Sequence, residues 1–224
     1  WRSISVNDIY NKCKSYNSTL NSHMMKNDEW GAVAYLSKSK YGKETEEVWI
    51  NNSSSYITGS AGNSASASQN TGTTTDYTST QGVKASTTGN VYGVYDMSGG
   101  AWEYVAAYVN NGNSSLTSYG NSLYTSTDSK TKNVYAKGSS DNNSSNYSAN
   151  AGVYGDAVYE TSANGNSSNG SWYGDCSDFP HTSNPFFIRG GGYNGGSYAG
   201  VFYFNDNDGS SHSYYSFRPV LVAN

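Results

Sequence analysis

The reading turns on Gly89-Asn-Val-Tyr-Gly-Val-Tyr-Asp-Met-Ser-Gly-Gly-Ala-Trp-Glu-Tyr-Val105. A glycine-rich turn runs into alternating apolar residues, the pattern of a short strand whose glycines allow positive φ or close backbone approach. A second stretch of the same kind lies far downstream. Phe187-Ile-Arg-Gly-Gly-Gly-Tyr193 continues through Ala199-Gly-Val-Phe-Tyr-Phe204 and closes at Ser216-Phe-Arg-Pro-Val-Leu-Val222. Both stretches predict short strands.

Upstream, Ser5 followed by Asp8 forms a capping-box pattern, and Val6, Ile9, Tyr10 and Cys13 recur at helical spacing. A second helix is predicted from about Asn27 to Ser39. Asn27 or Asp28 would cap it, Trp30, Val33, Ala34 and Ser37 would share one face, and Tyr41-Gly42 would end it. Helical patterns are confined to these first forty residues. Glu47–Ile50 reads as a short strand, 51–80 as irregular loop, and 112–172 as a loop-rich insertion with strand-like breaks at Asn133–Tyr135 and Ala157–Tyr159.

Composition supports a loop-rich domain with an aromatic core. Of 224 residues, 39 are Ser, 27 Asn and 25 Gly, while Leu, Ile, Val and Phe total 30, so 33 aromatics must supply much of the interior. One domain spanning 1–224 is expected, able to bury roughly 70% of its unfolded surface. A net charge of −4 argues against nucleic-acid binding, and no apolar run is long enough for a transmembrane helix. Cys13 and Cys176 lack metal or redox spacing; they form one disulfide or stay separate thiols. The Ser/Thr/Asn/Tyr-rich, Lys-poor surface suggests an extracellular or cell-surface protein. The chain opens at Trp1 and is read as trimmed or matured, with any anchoring segment elsewhere.

The first stretch resembles the "YGLYDMSGNVWEW" signature of the formylglycine-generating enzyme (sulfatase-modifying factor) family, and the second resembles that family's closing "RGGSW … FR" segment. The resemblance implies an α+β, C-type-lectin-like fold: two helices, small twisted antiparallel sheets and long irregular loops. It does not bring the chemistry. The family's enzymes activate oxygen with a cysteine pair near the C-terminal end, and Arg189–Arg218 contains no cysteine. A related branch binds iron through histidines, but His23, His181 and His212 lie far apart. Asn205-Asp-Asn-Asp-Gly209 matches a calcium loop poorly: its first ligand would fall on Phe204 and no closing Glu follows. No catalysis and no cofactor are expected. Glu103 and Asp96, with Arg189 and Arg218, are candidates for buried ion pairs tying the two stretches together. Trp102, Tyr104, Phe202, Phe217, Trp30 and Trp49 read as core.

Between the framework pieces, residues 192–215 hold a different palette. Asn194, Gly196, Tyr198, Tyr203, Asn205, Asp206, Asn207, Asp208, Ser210, Ser211, His212, Ser213, Tyr214 and Tyr215 are the candidate ligand-binding residues. Tyr offers rigid amphipathic contact area, while Ser, Gly, Asn and Asp offer adaptable hydrogen bonding. Each type is reachable from an Asn codon by changing adenines alone. Lys, Glu, Gln, Met and Trp are not; they make up 26 of the 224 residues yet are absent from 192–215, where about three would be expected. That absence extends back to Tyr173.

A scaffold of this kind ending in an adenine-mutagenised segment resembles the variable proteins of diversity-generating retroelements. The resemblance implies a non-catalytic receptor or adhesin, on a bacterial surface or phage particle, whose hypervariable face binds a protein or glycan ligand on another cell or phage host. It implies no nucleic-acid partner and no membrane contact by this chain itself. A fixed-specificity surface adhesin or pilin-like structural module stays open, and an oxygen-dependent sulfatase-modifying enzyme stays as a remote alternative.

Overall fold

The computed structural model describes residues 1–69, 75–159, 161–162, 164–165 and 172–222. It is a mixed α+β molecule. Among the described residues the strands are β1 (His23–Met24), β2 (Trp102–Asn110), β3 (Asn133–Ala136), β4 (Asn164–Gly165), β5 (Ser177–Asp178), β6 (Phe186–Arg189), β7 (Phe204–Asn207), β8 (Tyr215–Phe217) and β9 (Pro219–Val220). The helices are α1 (Val6–Tyr16), α2 (Asn27–Ser37), α3 (Ser115–Thr125) and α4 (Asn143–Ala149).

β2 is the spine. Its run of apolar residues is buried on both faces, as a central strand requires. Val105, Ala107 and Val109 join Trp30 and Ala34 of α2, with Phe187 and Phe204, in one core. Tyr104, Ala106 and Tyr108 join Val6, Ile9, Tyr10 and Cys13 of α1, Leu116 and Leu123 of α3, and Tyr203 and Tyr215 in the other. The period-2 alternation of a strand thus sorts neighbouring residues into two cores. The main sheet runs β3-β2-β6-β7-β5-β4, with β8 also pairing β2. β6 lies antiparallel along one edge of β2; β8 pairs with Trp102–Tyr104 and β3 with Ala107–Asn110, both parallel. β1 and β9 form a separate two-stranded sheet.

Helix α1 follows its sequence pattern, with Ser5 accepting from the Asp8 amide. Helix α2 is capped differently from expectation: Asn27 and Asp28 lie within its first turn, and the Glu29 carboxylate instead accepts the Lys26 amide at 2.9 Å. Asn27 is buried, giving its amide to the Tyr135 hydroxyl.

Other expectations are corrected. Helices are not confined to the first forty residues, because α3 and α4 fall inside the 112–172 stretch. Glu47–Ile50 is not a strand: Trp49 and Asn51 donate to the carbonyls of Lys84 and Ser98, and Asn51 forms an isolated bridge with Gly99. The Asn133–Tyr135 expectation holds as β3. Ala157–Tyr159 is not a strand; Ala157 has φ +54°, and its carbonyl accepts from the buried Arg189 guanidinium. Cys13 and Cys176 are separate free thiols, and burial pushes the Cys13 thiol up to about 12. Trp49 is only partly buried and lies beneath the Lys84 ammonium.

Candidate ligand-binding face

The framework holds this face by one buried ion pair, though not as expected. Glu103 and Arg189 are register partners across β2 and β6, yet the Glu103 carboxylate is held by Arg218, whose Nε and Nη2 donate at 2.6 and 2.5 Å. Arg218 Nη2 also donates to the carbonyls of Tyr95 and Asp96, tying the two signature stretches together. Arg189 is fully buried and, among the described residues, forms no direct ion pair with Glu103 or Asp96; the fields of Asp156 and Asp175 act on it instead. It donates to the Asp156 and Ala157 carbonyls and lies near the ring of Trp30, and burial lowers its pKa to about 10. The Asp96 carboxylate forms no direct ion pair with either arginine among the described residues, though its field reaches Arg218; it accepts from the Asn51 amide at 2.7 Å.

Beside this pin opens a groove of about 540 Å³, lined by Trp102, Ile188, Tyr193, Asn194, Tyr203, Asn205, Asp206, Tyr214 and Tyr215. The segment that returns from β6 to β7 therefore meets the segment that enters β8 across the first residue of β2. Trp102 forms part of the wall rather than core. It is half-buried, donates its indole N–H to the Tyr203 hydroxyl at 3.0 Å, and meets Tyr214 and Tyr215 edge to face. Gly192 makes that placement possible: a Cβ there would lie 2.2 Å from the Trp102 ring. Phe217 is likewise only half-buried, whereas Tyr104, Phe202 and Trp30 are core.

The predicted face residues divide by what their side chains already do. Asn194, Tyr203, Asn205, Asp206, Tyr214 and Tyr215 line the groove. Of these, Tyr203 is 7% exposed and Tyr215 9%, so only part of each ring reaches solvent, whereas Tyr214 is 38% exposed. Tyr198, Ser211, His212 and Ser213 are exposed but outside the groove lining, and the His212 ring stacks on Tyr214. Gly196 is buried at the start of a 3-10 turn and does not line the groove.

Asn207, Asp208 and Ser210 shape the connection out of β7. The buried Tyr104 hydroxyl reaches both Asn207 Oδ1 and the Ser210 carbonyl, and Asn207 Nδ2 donates to the Tyr215 hydroxyl at 2.8 Å. Asp208 accepts the Ser210 amide. Asp206 sits 3.3 Å from His181 Nδ1; burial pushes its carboxyl up to about 6, opposed by Asn184 and His181.

Sequence reasoning missed Trp102 and Ile188 as groove residues, and it missed two neighbours from the chain's early part. Arg2 donates to the Ser213 carbonyl at 2.7 Å and lies 4.0 Å above the ring of Tyr56, which meets Tyr193 edge to face. Trp102 had one legible signal, its position directly after Gly99-Gly-Ala101 at the start of a strand. Arg2 and Tyr56 had none, since long-range contact brings them there.

Among the described residues, no three His, Cys, Asp or Glu side chains converge on a point where a metal could sit, and no helix is long and apolar enough to cross a membrane. No protein-family model matches the chain, and no curated protein matches it.

Proposed function

We propose that this chain is a non-catalytic ligand-binding domain with a C-type-lectin-like scaffold and a diversified C-terminal face, of the kind found in diversity-generating retroelement variable proteins. The observation that carries the reading is spatial. Residues scattered over 194–215 that share an adenine-mutable palette meet around one aromatic groove, while the intervening Ala199, Val201 and Phe202 are buried. Rigid Tyr and Trp rings beside adaptable Asn, Ser and Asp groups suit selection for many ligands. The domain would be displayed on a bacterial cell surface or phage particle and would meet a protein or glycan on another cell or phage host.

A fixed-specificity adhesin is favoured by one observation: Asn207 and Tyr215 are tied into the scaffold through Tyr104, so part of the segment serves architecture. Sequencing this gene across one source population separates the two readings. Under the diversified reading, substitutions concentrate at codons of 192–215, fall at adenines of a nearby near-identical template, and spare Ala199–Phe202 and Phe217–Pro219. Codons that drift no faster than the rest of the gene would refute diversification and leave a single selected ligand.

A further inference from the structure

Three rings of the groove stand steeply to one another. Trp102 and Tyr214 meet at 65° with centroids 5.5 Å apart, Trp102 and Tyr215 at 84° and 6.2 Å, and Tyr214 and Tyr215 at 81° and 4.9 Å. Such rings form a corner rather than a stack. Two of them are held by hydrogen bonds, Trp102 to the Tyr203 hydroxyl and the Tyr215 hydroxyl to Asn207. The corner therefore exists before any ligand arrives, which lowers the ordering penalty of binding.

The side chains that line the corner carry charge of one sign, while the neighbouring cations Arg2 and His181 are engaged outside the lining. No basic residue lines the groove, and Asp206 is the carboxylate among its lining residues. The fields of Asp206 and Asp208 both help push the Tyr215 hydroxyl up, to about 12, after the larger effect of burial. Aromatic faces add the negative lobe of the ring quadrupole, which attracts organic cations and repels carboxylates. The molecule carries an internal example: the Arg2 guanidinium lies over Tyr56, the ring next to Tyr193 in the same aromatic array. Arg2 is further engaged by the Ser213 carbonyl, and His181 faces Asp206.

We propose that this groove receives an organic cation, a guanidinium or alkylammonium group presented as an arginine or lysine side chain of a protein partner. The inference rests on the reading of the groove as a ligand-binding face and names the ligand class for this sequence. A volume of about 540 Å³ exceeds what a bare ammonium group fills, leaving space for an aliphatic stem and adjoining backbone. The exposed amide of Asn194 is placed to hydrogen-bond that backbone.

Calorimetric titration with small probes tests it. The probes are the N-acetyl amides of arginine and lysine, their neutral counterparts from citrulline and norleucine, and tetramethylammonium. The arginine or lysine probe should bind about tenfold more tightly than its neutral counterpart. Tyr214→Ala and Asp206→Asn should each weaken it about fivefold or more, with Tyr214→Ala melting as wild type does. Equal binding of charged and neutral probes would overturn the cation while keeping the groove as a ligand site. Binding of tetramethylammonium alone would overturn the protein side chain as source. Tight cation binding unaffected by Tyr214→Ala would overturn the location. Silence from every probe at tens of millimolar would overturn the inference, leaving the population survey to judge the ligand-binding face itself.

Discussion

Replacing Arg218 by Met removes the cation that holds Glu103 and keeps much of the apolar stem. Glu103 is 6% exposed, and its two oxygens receive Arg218 Nε at 2.6 Å and Nη2 at 2.5 Å. Unit charges at that separation attract by about 6 kcal/mol with an effective dielectric constant near 20. Desolvation of both groups offsets much of it, so the pair's net worth is small compared with the penalty of breaking it. Removing one partner leaves an unpaired carboxylate in a largely buried site, a loss of about 3–5 kcal/mol. Urea denaturation at pH 7 measures this as a drop in midpoint with the slope unchanged. The deficit should be pH-dependent with a definite sign. Burial raises the Glu103 pKa and Arg218 opposes that rise. Without Arg218 the folded-state pKa climbs well above the unfolded value, so the variant's stability falls as pH rises and its deficit shrinks in acid. Glu103→Gln combined with Arg218→Met should recover more than half of the loss. A loss below about 1 kcal/mol in Arg218→Met, or a stronger coupling of Glu103 to Arg189 than to Arg218 in a double-mutant cycle, would refute the reasoning.

Tyr214→Ala should weaken ligand binding by more than about 1 kcal/mol while leaving the thermal midpoint near wild type, since the ring is 38% exposed; unchanged affinity removes it from the face. Tyr215→Ala should instead unfold more easily, by about 2–4 kcal/mol in urea, because its ring is buried between Trp102 and Tyr104 and its hydroxyl accepts from Asn207. Gly192→Ala should destabilise by about 1–3 kcal/mol and change Trp fluorescence, because the new methyl collides with the Trp102 ring; an unaltered spectrum and midpoint would show that the ring does not pack there. Burial raises the Asp175 carboxyl to about 8, so the fold favours its neutral form and this residue's contribution to stability falls as pH rises from near 4 to above 8. Asp175→Asn should flatten that slope in melts across the range, and an identical pH profile in the variant would exclude Asp175 as its source.

Much of the framework could be read from the chain because its local signals agree with its tertiary role. Ser5 caps the helix whose buried stripe is Val6, Ile9, Tyr10 and Cys13, and the apolar run after Trp102 becomes the spine of the sheet. Helices α3 and α4 escaped for a physical reason. Leu116, Gly120 and Leu123 keep helical spacing, but Ser, Thr, Asn and Gly have poor helix propensity, and the helix is kinked at Gly120, where Phe186 leaves no room for a side chain. Packing against α1 sustains it rather than propensity. The choice between Arg189 and Arg218 was equally hidden. Ladder register sets Glu103 opposite Arg189, but β8 lies along the other edge of β2 with Ser216 beside Glu103, which brings Arg218 within reach. Only the paired strands reveal that.

If the C-terminal face is diversified as proposed, the same geometry limits how freely it can change. Of the candidate positions, Asn194, Tyr198, Ser211, His212, Ser213 and Tyr214 are exposed, so substitution there alters the surface more than the fold. Asn207 instead accepts from the buried Tyr104 hydroxyl and donates to the Tyr215 hydroxyl, so losing Asn207 removes a partner from both. Tyr203 is bound to Trp102, which the adenine-mutable palette excludes. Under the proposed diversification the groove would join a wall outside the variable segment, Trp102, to a changeable one carried by Asn194 and Tyr214. On that proposal, a fixed aromatic wall would bias every variant toward ligands that can lie against a ring. A changeable polar rim then decides among them. On these contacts, diversity in ligand choice and constancy in fold need not compete, because the exposed and the tied side chains are different residues of one short segment.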